Sequence, residues 1–137
     1  VRKALELNPQ TGKAHSVGGE ILVAQGRIQE SLAEIEKEPL EWARLTDEAI
    51  AYFALGRKQD SNAALANLIS RHQAQGAFQI ALVYSYRGEL DKAFEWLNRA
   101  YQQRDTAMIV LKVHPLLENL RKDPRYKDLL RKLNLPL

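Results

Sequence analysis

AQGAFQIALVYSYRGELDKAFEWLNRAY, residues 74–101, contains two helical patterns separated by one glycine. Apolar side chains recur at helical spacing before Gly88 and again after it, with small residues among them. These are Phe78, Ala81, Leu82 and Tyr84 before the glycine, and Leu90, Ala93, Phe94, Leu97 and Ala100 after it. Because glycine turns the chain easily and small side chains let helices approach, this stretch predicts an antiparallel helix pair.

The same pattern occurs twice more upstream in weaker form. Gly26, Gly56 and Gly88 are separated by 30 and 32 residues. Self-similarity at this period is typical of stacked helical repeats, in which each unit buries its apolar face on the next. We predict three helix pairs at residues 11–39, 40–73 and 74–103, with 1–10 as the end of a preceding repeat and 104–137 as C-terminal capping helices.

Six residues carry a resemblance to the tetratricopeptide repeat (TPR) family: Ala81, Tyr84, Gly88, Ala93, Leu97 and Ala100. The resemblance is strongest over residues 41–103. It implies an all-α fold, a right-handed α-α superhelix of TPR-like helical hairpins. It also implies a non-catalytic protein–protein interaction module or scaffold, whose first helices line a concave groove for another protein, a peptide segment or an amphipathic helix.

The C-terminal residues carry a second resemblance. The pattern resembles the ends of TPR arrays in bacterial multidomain proteins that carry adenylate cyclase, winged-helix regulator or kinase domains, through Leu120, Arg121, Asp123, Pro124, Arg125, Tyr126, Leu129 and Leu130. This resemblance implies a cytoplasmic C-terminal fragment of a larger bacterial signalling or transcription-regulatory protein. Asp123 is predicted to cap a helix that starts at Pro124.

The TPR resemblance also implies which residues face the groove: Ser16, Glu20, Val23, Thr46, Ile50, Phe53, Phe78, Leu82, Ser85 and Tyr86. Its apolar members suit an amphipathic helix, since a few aromatic anchors dominate such contacts. For Phe53 and Leu82, ordinary packing between neighbouring helices is an equal alternative, whereas Phe78 and Tyr86 favour a partner contact. Ser16, Glu20, Thr46 and Ile50 lack the basic or amide groups of a carboxylate clamp, which argues against an acidic chaperone tail as the ligand.

Catalytic and metal-binding patterns are absent from the sequence. The chain has no cysteine, and its three histidines, His15, His72 and His114, lie far apart in sequence with no second His or Cys three or four residues on. Phosphate-binding and nucleophile motifs are missing as well. We predict no enzyme, no metal and no cofactor. The acidic connector, residues 34–41, is predicted to be a solvated face and loop rather than a metal site, since no His or Asp joins its glutamates.

Charge and hydropathy limit the remaining alternatives. The formal net charge is +3, and the excess lies in the C-terminal segment. That segment offers Arg121, Lys122, Arg125, Lys127, Arg131 and Lys132 to phosphates, but Asp123 and Asp128 interrupt the stripe, which weighs against nucleic-acid binding. No apolar run is long enough for a membrane span. The alternative to partner binding is homo-oligomerisation, as a homodimer or a structural spacer.

Overall fold

The computed structural model describes residues 14–105, 108 and 110–134, and every regular element within them is helical. The predicted all-α class is therefore confirmed for these residues. The predicted repeat end at residues 1–10 lies outside them. By its internal contacts the chain divides into two compact units, Val1–His72 and Gln73–Leu137.

Six helices form three antiparallel pairs. They are α1 (Ala14–Ala24) with α2 (Ile28–Ile35), α3 (Glu41–Ala54) with α4 (Lys58–His72), and α5 (Ala77–Tyr86) with α6 (Leu90–Gln102). We call these pairs hairpins 1, 2 and 3. A 3-10 helix (Pro115–Leu117), α7 (Glu118–Arg121) and α8 (Pro124–Lys132) follow. Hairpins 1 and 2 belong to the first unit, and hairpin 3 and the later helices to the second.

Each hairpin turns at one of the three predicted glycines. Gly26, Gly56 and Gly88 have φ angles of 78°, 78° and 79°, a left-handed conformation that glycine adopts without steric cost. At Gly56, its N–H donates to the carbonyl of Phe53 (3.0 Å) and the next N–H donates to that of Tyr52 (2.8 Å). The other two turns repeat this pattern. All three are Schellman caps, which satisfy the last carbonyls of the first helix.

Small residues let the helices of hairpin 1 approach closely, as the glycine pair at 18 and 19 predicts. A Cβ added at Gly19 would lie 2.4 Å from Cγ1 of Ile35. Ser31 Oγ donates to the carbonyl of Gly19 at 2.9 Å. Hairpin 2 repeats this bond, from Ser61 Oγ to the carbonyl of Ala49 at 2.7 Å. The two hairpins therefore share one helix–helix register.

The acidic connector is not solvated throughout, so that prediction was wrong for Glu38. Its side chain is 1% exposed. One carboxylate oxygen accepts the N–H of Ser16 (2.9 Å), in the first turn of α1, and the other accepts the N–H of Leu40 (3.0 Å). First-turn N–H groups have no partner within their own helix, so Glu38 satisfies donors at the starts of α1 and α3.

Apolar side chains dominate the second unit. All nine residues from Ala77 to Ser85 in α5 are buried. Within this unit, α5 packs against α6, the 3-10 helix and α7. Asn119 Nδ2 donates to the carbonyl of Ser85 at 2.9 Å. Asp123 caps α8 as predicted, since its Oδ1 accepts the N–H of Arg125 at 2.9 Å.

Candidate partner-binding surface

Seven of the ten residues that the resemblance places in the groove are buried in this structure. They are Ser16, Val23, Thr46, Ile50, Phe78, Leu82 and Ser85, each between 0% and 6% exposed. Their side chains are packed within the protein. The other three, Glu20, Phe53 and Tyr86, are half-buried. A role in partner binding stays a prediction for the set, and the accessible part of it is these three residues.

Two of the buried polar members, Ser16 and Thr46, have side-chain hydrogen-bond partners inside the protein. Ser16 Oγ donates to Oδ2 of Asp47 on α3, which is 1% exposed. Thr46 Oγ1 donates to the carbonyl of Trp42, one turn earlier in the same helix, at 2.7 Å. Hydrogen bonding of this kind is how buried hydroxyl groups are normally accommodated. Ser16 and Thr46 therefore stabilise the first unit.

Three apolar members are fully packed within the protein. Ile50 is 0% exposed, Leu82 is 2% exposed and Phe78 is 3% exposed. Repeat spacing identifies the first helix of each pair, but it does not say which of its apolar side chains contacts neighbouring helices. For Phe53 and Leu82 the sequence left packing open, and Leu82 is buried while Phe53 keeps exposed surface.

Tyr86, at the end of α5, keeps part of its ring accessible. The residue is half-buried, and burial raises the pKa of its phenol above the ordinary value. The neutral hydroxyl therefore persists at physiological pH. A partly exposed aromatic ring with a neutral polar tip suits a protein interface, because the ring supplies apolar area and the tip a hydrogen bond.

The basic C-terminal segment uses much of its charge internally. Arg121 donates to the carbonyls of Lys112 (2.9 Å) and His114 (2.8 Å). Arg131 pairs with Asp128 on its own helix (2.8 Å). The weak expectation for nucleic-acid binding by this segment stays a prediction.

Arg125 joins the start of α8 to α6. Its guanidinium lies 4.6 Å from the ring centroid of Phe94 and donates to Asp91 (2.9 Å) and Asp123 (2.8 Å). The hydrogen bond from Arg125 lowers the pKa of Asp123 to about 2. A cavity of about 440 Å³ beside these residues is lined by Asp91, Asp123 and Arg125, together with Glu89 and Lys92. The Asp-Pro-Arg sequence is therefore a structural clamp in this protein.

The three histidines lie apart, in three different polar contacts. His15 Nδ1 lies 2.7 Å from Glu34, and His72 Nε2 lies 2.8 Å from Glu41. His114 Nδ1 accepts the N–H of Leu116 at 3.2 Å. Among the described residues, no three His, Cys, Asp or Glu side chains come together as metal ligands. His15 and His72 each link two helices of the first unit, and His114 caps the 3-10 helix of the second.

Sequence reasoning missed one exposed feature. Val17 and Ile21 lie one turn apart on α1, and each is 42% exposed. Val17 and Ile21 stand 30 residues before Asp47 and Ala51, which are buried. Comparing the two hairpins at the repeat spacing would therefore have drawn attention to these positions.

Two further findings concern membranes and known proteins. Within the part of the chain that the structure describes, no helix combines the length and apolar character needed to cross a membrane. Compared with known proteins, the chain matches no protein-family model, no curated protein and no solved structure.

Proposed function

We propose that this chain is a non-catalytic protein-interaction module of the TPR kind, whose hairpins stack into a right-handed superhelix. The supporting observation is the repeated geometry of the hairpins. The same Schellman turn closes all three, and the same serine-to-carbonyl bond joins the helices of the first two. A repeat scaffold of this kind serves mainly to display side chains along its length. Its proposed setting is the cytoplasmic, C-terminal region of a larger bacterial signalling or transcription-regulatory protein.

The proposed ligand is a peptide segment or an amphipathic helix of another protein. Each unit offers one candidate anchor by itself, Phe53 on the first and Tyr86 on the second, the aromatic members of the predicted set that remain partly exposed. Partly exposed aromatic side chains gain most from a partner, since they still have apolar area to bury and lose little conformational entropy. Glu20, which is also half-buried, adds a negative charge to the first unit's surface.

The test uses the full chain as bait and then a purified partner. A protein captured by the chain is identified and its affinity measured by calorimetry with wild type, Phe53→Ser, Tyr86→Ser and the matched control Ala63→Ser, an exposed position on α4. We expect at least a tenfold loss of affinity for one anchor variant and no change for the control. Unchanged affinity in both anchor variants, with folding intact by circular dichroism, overturns the proposed surface.

A second candidate is self-association or a structural spacer role, which the exposed apolar pair Val17 and Ile21 favours. Light scattering over a range of concentrations separates the two functions. A dimer that Ile21→Lys dissociates, with no effect of Tyr86→Ser on any partner, supports the spacer role. A monomer whose partner binding depends on Tyr86 or Phe53 supports recognition.

A further inference from the structure

A surface cavity of about 480 Å³ lies where α7 ends and α8 begins, within the second unit. Its lining contains four basic side chains and two carboxylates, which are Arg121, Lys122, Lys127 and Arg131, and Asp123 and Asp128. Positions 127 and 131 are one helical turn apart on α8 and therefore share a face. We call this feature the basic cavity, because it brings four of the C-terminal positive charges together.

The two carboxylates of the basic cavity already have guanidinium partners. Asp123 accepts a hydrogen bond from Arg125, which lies outside the cavity lining, at 2.8 Å. Asp128 accepts one from Arg131 at 2.8 Å. In sequence these aspartates interrupt the basic stripe, but in the structure an arginine compensates each of them. The charge that is left on this surface is therefore positive.

That remaining charge belongs mainly to Lys122 and Lys127. Both are exposed, Lys122 directly after α7 and Lys127 within α8. Neither ammonium group has a hydrogen-bonding or ion-pairing partner among the residues that the structure describes. Arg121, by contrast, donates to the carbonyls of Lys112 and His114. The two lysines are thus available to an anionic ligand.

The first turn of α8 does not add backbone donors for an anion. Pro124 has no N–H. The N–H groups of Arg125 and Tyr126 donate to the carboxylate (2.9 Å) and to the carbonyl (3.0 Å) of the capping aspartate. These are the donors with which a helix N-terminus usually binds a phosphate group. An anion in the basic cavity is therefore held by side chains.

The composition of the cavity favours carboxylates of a protein over nucleic acid. None of the described residues that line it is aromatic, and Tyr126, the aromatic residue of α8, is 8% exposed. Binding of single strands depends on aromatic rings on which bases stack. Carboxylates need only the cations. Because one exposed ion pair contributes little free energy, several carboxylates have to act together.

We propose that the basic cavity docks an extended acidic segment of a partner protein. Lys122 and Lys127 bind its carboxylates, since an ammonium group on a flexible stem can follow a chain that has no fixed structure. This interaction is separate from the surface of the proposed function, because it involves neither Phe53 nor Tyr86.

The test uses the full chain and a fluorescein-labelled peptide of alternating Glu and Ser, with binding followed by anisotropy at low ionic strength. Lys122→Gln with Lys127→Gln removes two charges from the cavity. The matched control, Lys37→Gln with Lys58→Gln, removes two exposed charges from the first unit. We expect the dissociation constant to rise at least tenfold for the cavity variant and to stay within twofold of wild type for the control.

Three further measurements separate a defined site from general attraction. Lys122→Arg with Lys127→Arg keeps both charges and should bind within threefold of wild type. The same peptide with Gln in place of Glu should not bind. Added salt should weaken binding to wild type more than to the glutamine variant, because it screens exposed ion pairs. Equal losses in the cavity and control variants, or no binding to wild type at low ionic strength, overturn the proposal.

Two other ligands are the competing occupants of the cavity. Tighter binding of an oligothymidylate of equal charge, with the same dependence on Lys122 and Lys127, assigns the cavity to nucleic acid and overturns the proposal. Inorganic phosphate that displaces the peptide more strongly than chloride of equal ionic strength overturns it as well. Phe53→Ser and Tyr86→Ser should leave peptide affinity unchanged. Failure of the basic cavity is therefore distinguishable from failure of the proposed function.

Discussion

The two units share the same kind of hairpin turn but bury different kinds of side chain. In the first unit, Ser16, Ser31, Ser61, Glu38 and Asp47 are 0% to 2% exposed, and all five make hydrogen bonds within the unit. In the second unit, buried leucines surround α5, and the position equivalent to Ser61 is Ala93. The turn geometry therefore does not determine what lies between the helices. We expect the first unit to be sensitive to lost hydrogen bonds and the second to lost apolar volume.

The largest effect is expected from Leu120→Ala in the second unit. Leu120 is 0% exposed, and a truncated buried leucine loses both its transfer free energy and its packing, at a cost of about 3 kcal/mol. The chain has two tryptophans, Trp42 in the first unit and Trp96 in the second. Urea unfolding followed in a Trp42→Phe background therefore reports the second unit alone. Lys122→Ala, exposed nearby, is the control.

A Trp96→Phe background gives the opposite readout. If Leu120→Ala shifts the Trp42 transition as much as the Trp96 transition, the two units unfold together. The contrast between them then does not extend to their stability.

Glu38→Ala tests how much the buried hydrogen bonds stabilise the first unit. The substitution leaves the N–H groups of Ser16 and Leu40 without their acceptor, and buried donors left unpaired cost about 1 to 3 kcal/mol each. We expect a loss of about 2 kcal/mol in the Trp42 transition. Glu36→Ala, exposed on the same connector, should stay within about 0.5 kcal/mol of wild type. Equal effects of the two substitutions would show that the buried carboxylate contributes no more than a solvated one.

The left-handed helix cap, which occurs in both units, should favour glycine in both. Gly56→Ala places a Cβ in open space, so its cost is the left-handed backbone alone, about 1 to 2 kcal/mol. Arg104, at the end of α6, adopts φ of 56° with the same cap hydrogen bonds. Arg104→Gly relieves the strain of the left-handed backbone but raises the conformational entropy of the unfolded chain. We expect a net stabilisation of about 0.5 kcal/mol. Thermal midpoints that move in the same direction for both substitutions would contradict this account.

Exchanging serine and alanine between hairpins 2 and 3 tests the contribution of one buried hydroxyl group in each unit. Ser61→Ala removes one buried hydrogen bond to the carbonyl of Ala49, which we expect to cost about 1 kcal/mol. Ala93→Ser places a hydroxyl at the equivalent position of hairpin 3. If the register is shared, this hydroxyl should donate to the carbonyl of Ala81 and stabilise the second unit by about 0.5 kcal/mol. Urea midpoints of the two variants in the single-tryptophan backgrounds give both values. A loss of stability for Ala93→Ser would show that hairpin 3 packs in a different register.

Much of the fold is predictable from sequence because local signals determine it. Glycine is favoured at a left-handed turn, and Asp123 followed by Pro124 marks a helix start, so these positions are identifiable from residue type. The burial of Glu38 is not, since its partners are backbone donors of two helices, one of them 22 residues away. Which aromatic rings stay accessible is not predictable from spacing for a similar reason. The sequence favoured a partner contact for Phe78 and left packing open for Phe53, whereas in the packed structure Phe78 is buried and Phe53 is half-buried.

The smallest effect, and the one specific to pH, concerns the clamp between Asp123 and Arg125. The hydrogen bond from Arg125 holds the pKa of Asp123 at about 2, below its ordinary value of 3.8. A carboxyl whose pKa is depressed by folding stabilises the protein above the unfolded pKa, and this contribution is lost as pH falls from about 4 to about 2. Asp123→Asn keeps an oxygen to cap α8 but cannot titrate.

The Trp96 transition of wild type should therefore fall more steeply between about pH 4 and pH 2 than that of Asp123→Asn, with the two profiles parallel above about pH 5. Arg125→Gln removes the cause of the shift and should flatten the wild-type profile in the same way. Because both groups are close to solvent, added salt should weaken the difference. Parallel profiles for wild type and Asp123→Asn across the whole range would mean that the charge of the clamp, unlike the buried leucines, does not contribute to the stability of the second unit.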